Sequence, residues 1–379
     1  MYTRLLKPPS SNKSFFLFGP RGTGKTHWLR VNFPNALYLD LLGSKLYLSL
    51  QAAPDRLEAL IPPSFKEWII LDEVQRVPEL LNEVHRLIEN HHYKFILTGS
   101  SARSLRKKGV NLLAGRALTY KMHPLTCIEV GSDFSLPHAL RYGQLPEVFS
   151  EEFTEKYLQT YVETYLSTEI LQEGLTRNLG AFSRFLETAS FSQGSILNVS
   201  EVSREAKIDR KVVENYFTIL EDLLVASRLS VFTKRAKRQL VAHPKFYFFD
   251  VGVFRTIRPQ GPLDSPEEAE GPALETLVYQ ELSAINDYFD LGYELFYWRT
   301  SHQVEVDFIL YGPKGLLAFE VKRGASVSLK DLNGLEAFQK DYPEAKLFFL
   351  YGGQQKEYRG NIQILPIEEA LKTLPTLLQ

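Results

Sequence analysis

An internal disulfide is excluded at once, because the chain holds a single cysteine, Cys127. The sequence also lacks any apolar run near the roughly 18 residues that a membrane-crossing helix needs. Its first residues, Met1-Tyr2-Thr3-Arg4-Leu5-Leu6-Lys7-Pro8, carry no apolar signal core. These absences lead to the expectation of a cytoplasmic protein with no membrane insertion. Neither sign of charge is in excess: 44 basic residues face 45 acidic ones, a formal net charge of -1, so any surface for a polyanion must be local. There is no internal repeat and no low-complexity tract. At 379 residues, 44% apolar and 23% charged, the chain has the composition of a globular protein and the length of several modules.

Short apolar runs alternate with helical stretches from residue 14 to about 125. Strands are expected at Phe15–Phe18, Ala36–Leu39, Trp68–Leu71, Phe95–Thr98 and Ala117–Lys121. They lack polar alternation, as parallel strands covered on both faces do, so a three-layer α/β domain with a parallel sheet is expected over 1–125. Helical periodicity takes over in Thr154–Gln172 and Leu179–Phe191, which reads as a helical lid over 126–190. Asn198-Val199-Ser200-Glu201 then caps a short helix, Ile208-Asp209 turns, and Arg210–Leu224 reads as a second helix. With Val225–Phe232 and the basic run Lys234-Arg235-Ala236-Lys237-Arg238 as a wing, 191–240 has the pattern of a winged helix-turn-helix. A second α/β unit over 241–379 is expected from a helix at Ala273–Asn286, four strands between Leu295 and Tyr351, and a helix at Leu329–Lys340.

The chemistry is concentrated in the first module. Gly19-Pro20-Arg21-Gly22-Thr23-Gly24-Lys25-Thr26 follows an apolar strand and opens a helix. In that context glycines let backbone N–H groups close around a phosphate, the lysine reaches the β- and γ-phosphates, and the threonine hydroxyl serves Mg²⁺. Trp68-Ile69-Ile70-Leu71-Asp72-Glu73 ends a second apolar strand in two carboxylates. Asp72 is the candidate for ordering the Mg²⁺ shell, and Glu73 for positioning the attacking water. ATP hydrolysis with Mg²⁺ is the expected reaction. Ser100, at the end of Phe95-Ile96-Leu97-Thr98-Gly99-Ser100, is a candidate contact to the γ-phosphate or the water, or else part of a strand-capping turn. Arg116 is a candidate for stabilising transition-state charge in a neighbouring subunit, with Arg103 behind it; a solvated surface arginine is the alternative.

Together with Leu71-Asp72-Glu73-Val74-Gln75, Leu97-Thr98-Gly99-Ser100-Ser101 and Leu113-Ala114-Gly115-Arg116, the phosphate loop resembles that of the AAA-type ATPases of bacteria and archaea that carry a C-terminal domain of uncharacterised function. The likeness continues through Lys245–Gly252 and Glu305-Val306-Asp307-Phe308, covering nearly the whole chain. The resemblance implies an AAA-type core, a winged helix, a restriction-endonuclease-like C-terminal fold and assembly into a homo-oligomeric ring, such as a hexamer. One departure is visible: many relatives have Arg-Asp where this chain has Thr168-Glu169, so no arginine function is carried over there.

In the C-terminal module Glu320 and Lys322 lie two apart on one strand and are expected to project together, with Asp307 near them across the Tyr311–Gly315 turn and Glu275 joining from a helix. An acid on a helix, an Asp on one strand and Glu-x-Lys on the next form the constellation of PD-(D/E)xK nucleases, whose carboxylates bind Mg²⁺. The same spacing also occurs on ordinary exposed strands, and a nuclease-like fold can serve only to bind DNA. Arg210, Lys211, Lys234, Arg235, Lys237 and Arg238 are candidate phosphate contacts. His91 and His92 have no further ligand at zinc spacing and read as a helix cap. Three functions follow: a DNA-dependent ATPase that remodels or moves along DNA, branched DNA included; an ATP-regulated nuclease; and an ATP-driven signalling switch or protein remodeller. The first is favoured, because two modules point to DNA.

Overall fold

The computed structural model describes residues 2–100, 113, 116–166, 178–234, 243–261 and 266–379. Two compact units divide the chain: Arg4–Pro124 with Asp222–Leu224, and Leu125–Glu221 with Val225–Gln379 and the first three residues. The three later modules of the sequence reading therefore fall together in the second unit.

The first unit is built on five parallel strands, β1 (Ser14–Phe18), β2 (Leu37–Asp40), β3 (Trp68–Asp72), β4 (Lys94–Gly99) and β5 (Ala117–Lys121), in the order β2-β3-β4-β1-β5. All five were expected, with ends shifted by a residue or less. Every residue of β1 is buried, as its unbroken apolar run requires, and each large side chain there contributes ~1.5–3 kcal/mol of transfer free energy. Helices α1 (Lys25–Asn32), α2 (Ser44–Ala52), α3 (Arg56–Ala59) and α4 (Leu80–His91) join the strands. Helix α4 turns Leu80, Leu81, Val84 and Leu87 into the core beside Phe16, Leu71 and Leu97. It stops at His92, which adopts a left-handed conformation and returns its N–H to the Ile88 carbonyl. Strand order matters most for function: β4 lies between β1 and β3, so its C-terminal end falls between the two motifs.

In the second unit α5 (Cys127–Val130), α6 (Leu136–Tyr142) and α7 (Thr154–Thr160) come first, and α7 runs into a π-helical turn at Tyr161–Leu166. Next are α8 (Leu179–Ser190), α9 (Val199–Ala206) and α10 (Arg210–Asp222). Asn198 caps α9 by accepting a hydrogen bond from Glu201 N, and Lys207 ends it in a left-handed turn. Strands β6 (Ala226–Leu229) and β7 (Lys245–Phe248) pair antiparallel although they fall on either side of residue 240, where a module boundary was expected. Beyond them lie α11 (Val251–Ile257) and α12 (Pro266–Tyr288).

A six-stranded mixed sheet closes the unit. Strands β8 (Glu294–Arg299), β9 (Glu305–Gly312), β10 (Gly315–Lys322), β11 (Lys346–Tyr351), β12 (Glu357–Arg359) and β13 (Ile362–Pro366) take the order β12-β13-β11-β10-β9-β8. The meander β8–β10 is antiparallel, and β10, β11 and β13 are parallel. Helices α13 (Asn333–Asp341) and α14 (Ile367–Leu377) belong to the same α/β arrangement. Trp298, Ile309, Phe338 and Phe349 form part of the core between the sheet and α13. Among the described residues no helix is long and apolar enough to cross a membrane.

Candidate functional site

The phosphate loop connects β1 to α1, and Gly24 precedes the helix at φ 92°, a left-handed value that a side chain would strain. Gly19 is required for another reason: a Cβ there would lie 2.3 Å from the Met122 carbonyl oxygen, on the segment leaving β5. Gly22 is also left-handed, Thr23 is fully buried, and Arg21 is exposed at the loop's surface. The Thr23 hydroxyl donates to the Pro20 carbonyl at 2.8 Å and holds the loop's curvature. Lys25 is buried, and its ammonium donates to the carbonyls of Gly19 at 2.6 Å and Pro20 at 3.1 Å. These neutral acceptors are weaker partners for an ammonium than a phosphate oxygen.

Sequence reasoning passed over Arg4. Its guanidinium donates to the carbonyls of Thr23 at 2.7 Å and His123 at 2.6 Å, tying the loop to the segment after β5. Nothing in the pattern around Arg4 signals this, since both acceptors are backbone groups.

The Thr26 hydroxyl donates to Asp72 Oδ2 at 3.2 Å. A hydroxyl and a carboxylate oxygen this close, at the mouth of a phosphate loop, fit the hard-oxygen donor set that Mg²⁺ takes. Asp72 Oδ2 also accepts a hydrogen bond from Tyr38 on β2, a second residue that sequence reasoning missed. Burial, then the hydrogen bond to Asp72, raises the Tyr38 phenol far above its ordinary range, so it stays a donor and fixes the carboxylate. Glu73 follows in a left-handed conformation, φ 60° and ψ 44°, which is costly for a residue with a Cβ and typical of a site where the fold over-determines geometry. Gln75 Nε2 donates both to Glu73 Oε2 and, at 3.1 Å, to the Ser100 hydroxyl. Strand β4 comes close enough to make this link because residue 99 is glycine; a Cβ there would fall 2.1 Å from Gln75 Oε1. The structure thus brings Lys25, Thr26, Asp72, Glu73 and Ser100 to the same edge of the sheet. Arg116 is held elsewhere, in an ion pair with Glu89 on α4. Arg103 and Thr168-Glu169 lie outside the described residues.

The C-terminal constellation assembles differently from the expectation. Asp307 on β9, Glu275 on α12 and Glu305 on β9 converge on the ammonium of Lys245, which is 2% exposed. Asp307 Oδ1 and Glu275 Oε2 each lie 3.5 Å from that nitrogen, and Glu305 is closer still. Burial works against the lysine's charge, but Tyr247, Glu275, Asp307 and Glu305 together raise it well above the usual lysine value. Tyr247 donates to Glu275 Oε2 at 2.8 Å, and Val321 N donates to Asp307 Oδ2 at 2.9 Å. Glu320 borders the cluster with a buried Oε2 that has no hydrogen-bond partner; burial, then Asp307, pushes its carboxyl well above the usual range. Lys322 does not join. At the exposed end of β10, its long side chain reaches Asp331, the acid of a capping box. The cation at the centre is therefore Lys245, from a strand some 60 residues earlier, which strand spacing around Glu320 could not reveal. Among the described residues no group of three or more His, Cys, Asp or Glu side chains has an arrangement that could hold a metal ion.

Of the candidate nucleic-acid contacts, Arg210 and Lys211 are exposed on α10, with Arg210 in an ion pair with Glu214 at 3.1 Å. Lys234 is paired with Glu294 at 2.7 Å and lies over the Tyr311 ring. Arg235, Lys237 and Arg238 lie outside the described residues.

Residues 11–131 match the family described as AAA domain; 134–264 and 270–370 match two families described as domains of unknown function, DUF8612 and DUF4143. An uncharacterized protein of Mycobacterium tuberculosis is 25% identical over 315 residues, 80% of this chain and 69% of its own length. Another, from Methanocaldococcus jannaschii, is 23% identical over 333 residues, 79% of this chain and 73% of its own. Among solved structures, the Aeropyrum pernix ORC1 protein in complex with DNA covers 66% of this chain and 87% of that one, at 13% identity and a TM-score of 0.25, too slight a likeness to bear on function. The family match, the five-stranded parallel sheet and its phosphate loop make the first unit a P-loop core of the AAA ATPase type.

Proposed function

We propose that this chain is a DNA-dependent ATPase that uses ATP hydrolysis to remodel or move along DNA, branched DNA included. The observation that carries the ATPase part is the Glu73–Gln75–Ser100 link: it binds the carboxylate after β3 to the end of β4, beside the loop after β1. In this reading the N–H groups of the loop and Lys25 hold the β- and γ-phosphates, and Lys25 exchanges two carbonyls for phosphate oxygens. Bound with ATP, Mg²⁺ supplies neutralisation of phosphate charge, with Thr26 and Asp72 as the residues that would hold it. Glu73 accepts a hydrogen bond from the attacking water and aims it at the γ-phosphorus; the bond to the bridging oxygen breaks, and ADP and phosphate leave. Gln75 positions Glu73, and Ser100 makes that position sensitive to β4. Arg116 is the proposed trans-acting arginine of a ring, a role that requires it to leave Glu89.

Support for DNA comes from the order of elements in the second unit, where α9 and α10 are followed by the antiparallel strands β6 and β7, the order that a helix-turn-helix and wing would require. Exposed Arg210 and Lys211 at the start of α10 are suited to phosphate contact. The nuclease alternative is not favoured, because a lysine ammonium already occupies the place among the carboxylates that a catalytic metal would need.

Steady-state ATP hydrolysis, alone and with single-stranded, duplex, forked and four-way DNA, tests the proposal. Lys25→Ala is expected to lack activity, and Glu73→Gln to keep nucleotide binding while losing about 100-fold or more in rate. At least one DNA structure should stimulate the wild type. Hydrolysis indifferent to every DNA would overturn the DNA motor and leave the switch or remodelling reading.

A further inference from the structure

The second unit contains a cavity of 730 Å³ between α6, α7, α11 and the ends of β10 and β11. That is within the range of pockets that hold nucleotide-sized ligands, roughly 300–1,000 Å³. Its lining brings together four arginines, Arg141, Arg255, Arg258 and Arg323, against two carboxylates, Glu155 and Glu270. The fold thus gathers a surplus of positive charge where like charges repel. Three of the arginines have acidic partners: Arg141 pairs with Glu155 at 2.7 Å, Arg323 with Glu270, and Arg258 lies 3.9 Å from Glu268, outside the lining.

Arg255 differs. It is half-buried on α11, and its guanidinium donates to the Leu140 carbonyl at 3.2 Å, with no carboxylate of the described residues paired to it. Burial lowers its pKa, and the charges of Arg141 and Arg323 lower it further, so among the described residues the cost of keeping it cationic is met only by the neutral Leu140 carbonyl. An anion entering the cavity would relieve it, and a guanidinium recognises phosphate through two parallel N–H donors. The wall formed by Leu136, Leu140 and Leu158 is apolar, which suits a base or another flat apolar group.

We infer that this cavity is a binding site for a small phosphorylated ligand of the nucleoside phosphate class, with Arg255 as its central phosphate contact and Arg141 and Arg323 as flanking ones. It is separate from the phosphate loop, and it stands whether or not the DNA proposal does. Occupancy would give the second unit its own reading of nucleotide.

Equilibrium binding of ADP, inorganic pyrophosphate and a ten-nucleotide thymidine strand to the protein carrying Lys25→Ala tests it, because that background removes the lysine's hold on phosphate at the loop after β1. ADP should bind more tightly than pyrophosphate, and Arg255→Gln should weaken ADP by about tenfold or more, the loss of one charge-assisted contact. Arg323→Gln, just beyond the end of β10, should weaken it in the same direction and serves where Arg255→Gln alters the melting transition. ADP binding unchanged by both substitutions, no binding of ADP, or binding of the thymidine strand alone would each overturn the assignment.

Discussion

At the scale of single residues, the motif side chains Lys25, Thr26, Asp72 and Glu73 were legible from the order of residue types, because phosphate and metal chemistry permits few alternatives at those positions. Their supports were not. Tyr38, Arg4 and Gln75 act through hydrogen bonds to distant groups, 34 and 119 residues away in the first two cases and at residue 100 in the third. Lys245 is the clearest such case, since it lies in an apolar strand segment, Lys245-Phe246-Tyr247-Phe248, that reads as ordinary core. Lys245→Met removes the cation and leaves Glu275, Glu305 and Asp307 facing one another, with only Glu305 keeping a cationic partner, Arg299. Breaking a buried ion cluster in this way costs about 3–5 kcal/mol, and the midpoint of urea unfolding should fall accordingly. A variant that also carries Asp307→Asn should recover part of the loss, and failure to recover would show that Lys245 acts by packing alone.

At the scale of elements, the long apolar strands of the first unit were correctly placed, since their unbroken runs are dictated by burial on two faces. Short elements were not. Strands β12 and β13 and helix α14 had no expectation attached; β12 is three residues long, and glycines at 352, 353 and 360 interrupt the pattern around it. Strand β13 is held in the sheet by parallel pairing to β11. Helix α12 likewise starts seven residues before the expected Ala273 and continues through Pro272, against the local preference of proline. A prediction belongs to β4. Gly99→Ala puts a methyl group where Gln75 sits, so Gln75 must release Glu73 or Ser100. Hydrolysis should drop by about tenfold or more while nucleotide affinity, set by the loop after β1, stays within about twofold. Equal losses in both would mean that the substitution deforms the sheet.

At the scale of the whole molecule, the second unit holds several acids whose proton affinity burial raises. Burial raises Asp250 to about 6, Asp307 to about 7 and Glu281 to about 8, from ordinary values of 3.8, 3.8 and 4.5. Each raised acid favours the fold while it keeps its proton, and the unfolded chain releases that proton near pH 4. Stability should therefore fall as pH rises from about 4 to about 8 and then level off. Asp331 works in the opposite sense, held down to about 2 by Lys322, but its effect lies below pH 4 and does not overlap. Glu281→Gln, which imitates the protonated acid, should flatten the slope between pH 5 and 8 in urea unfolding. An unchanged slope would show that Glu281 does not titrate with folding.

By itself the sequence determined the phosphate loop, the carboxylate-ended strand and the parallel core, because each is specified by neighbours in the chain: glycines for close approach, a strand before and a helix after. Tertiary structure alone decided which lysine stands among the C-terminal carboxylates, where Arg116 is held, and that four arginines surround one cavity. Those outcomes depend on side chains from distant segments competing for the same charge, and linear spacing carries no record of that competition.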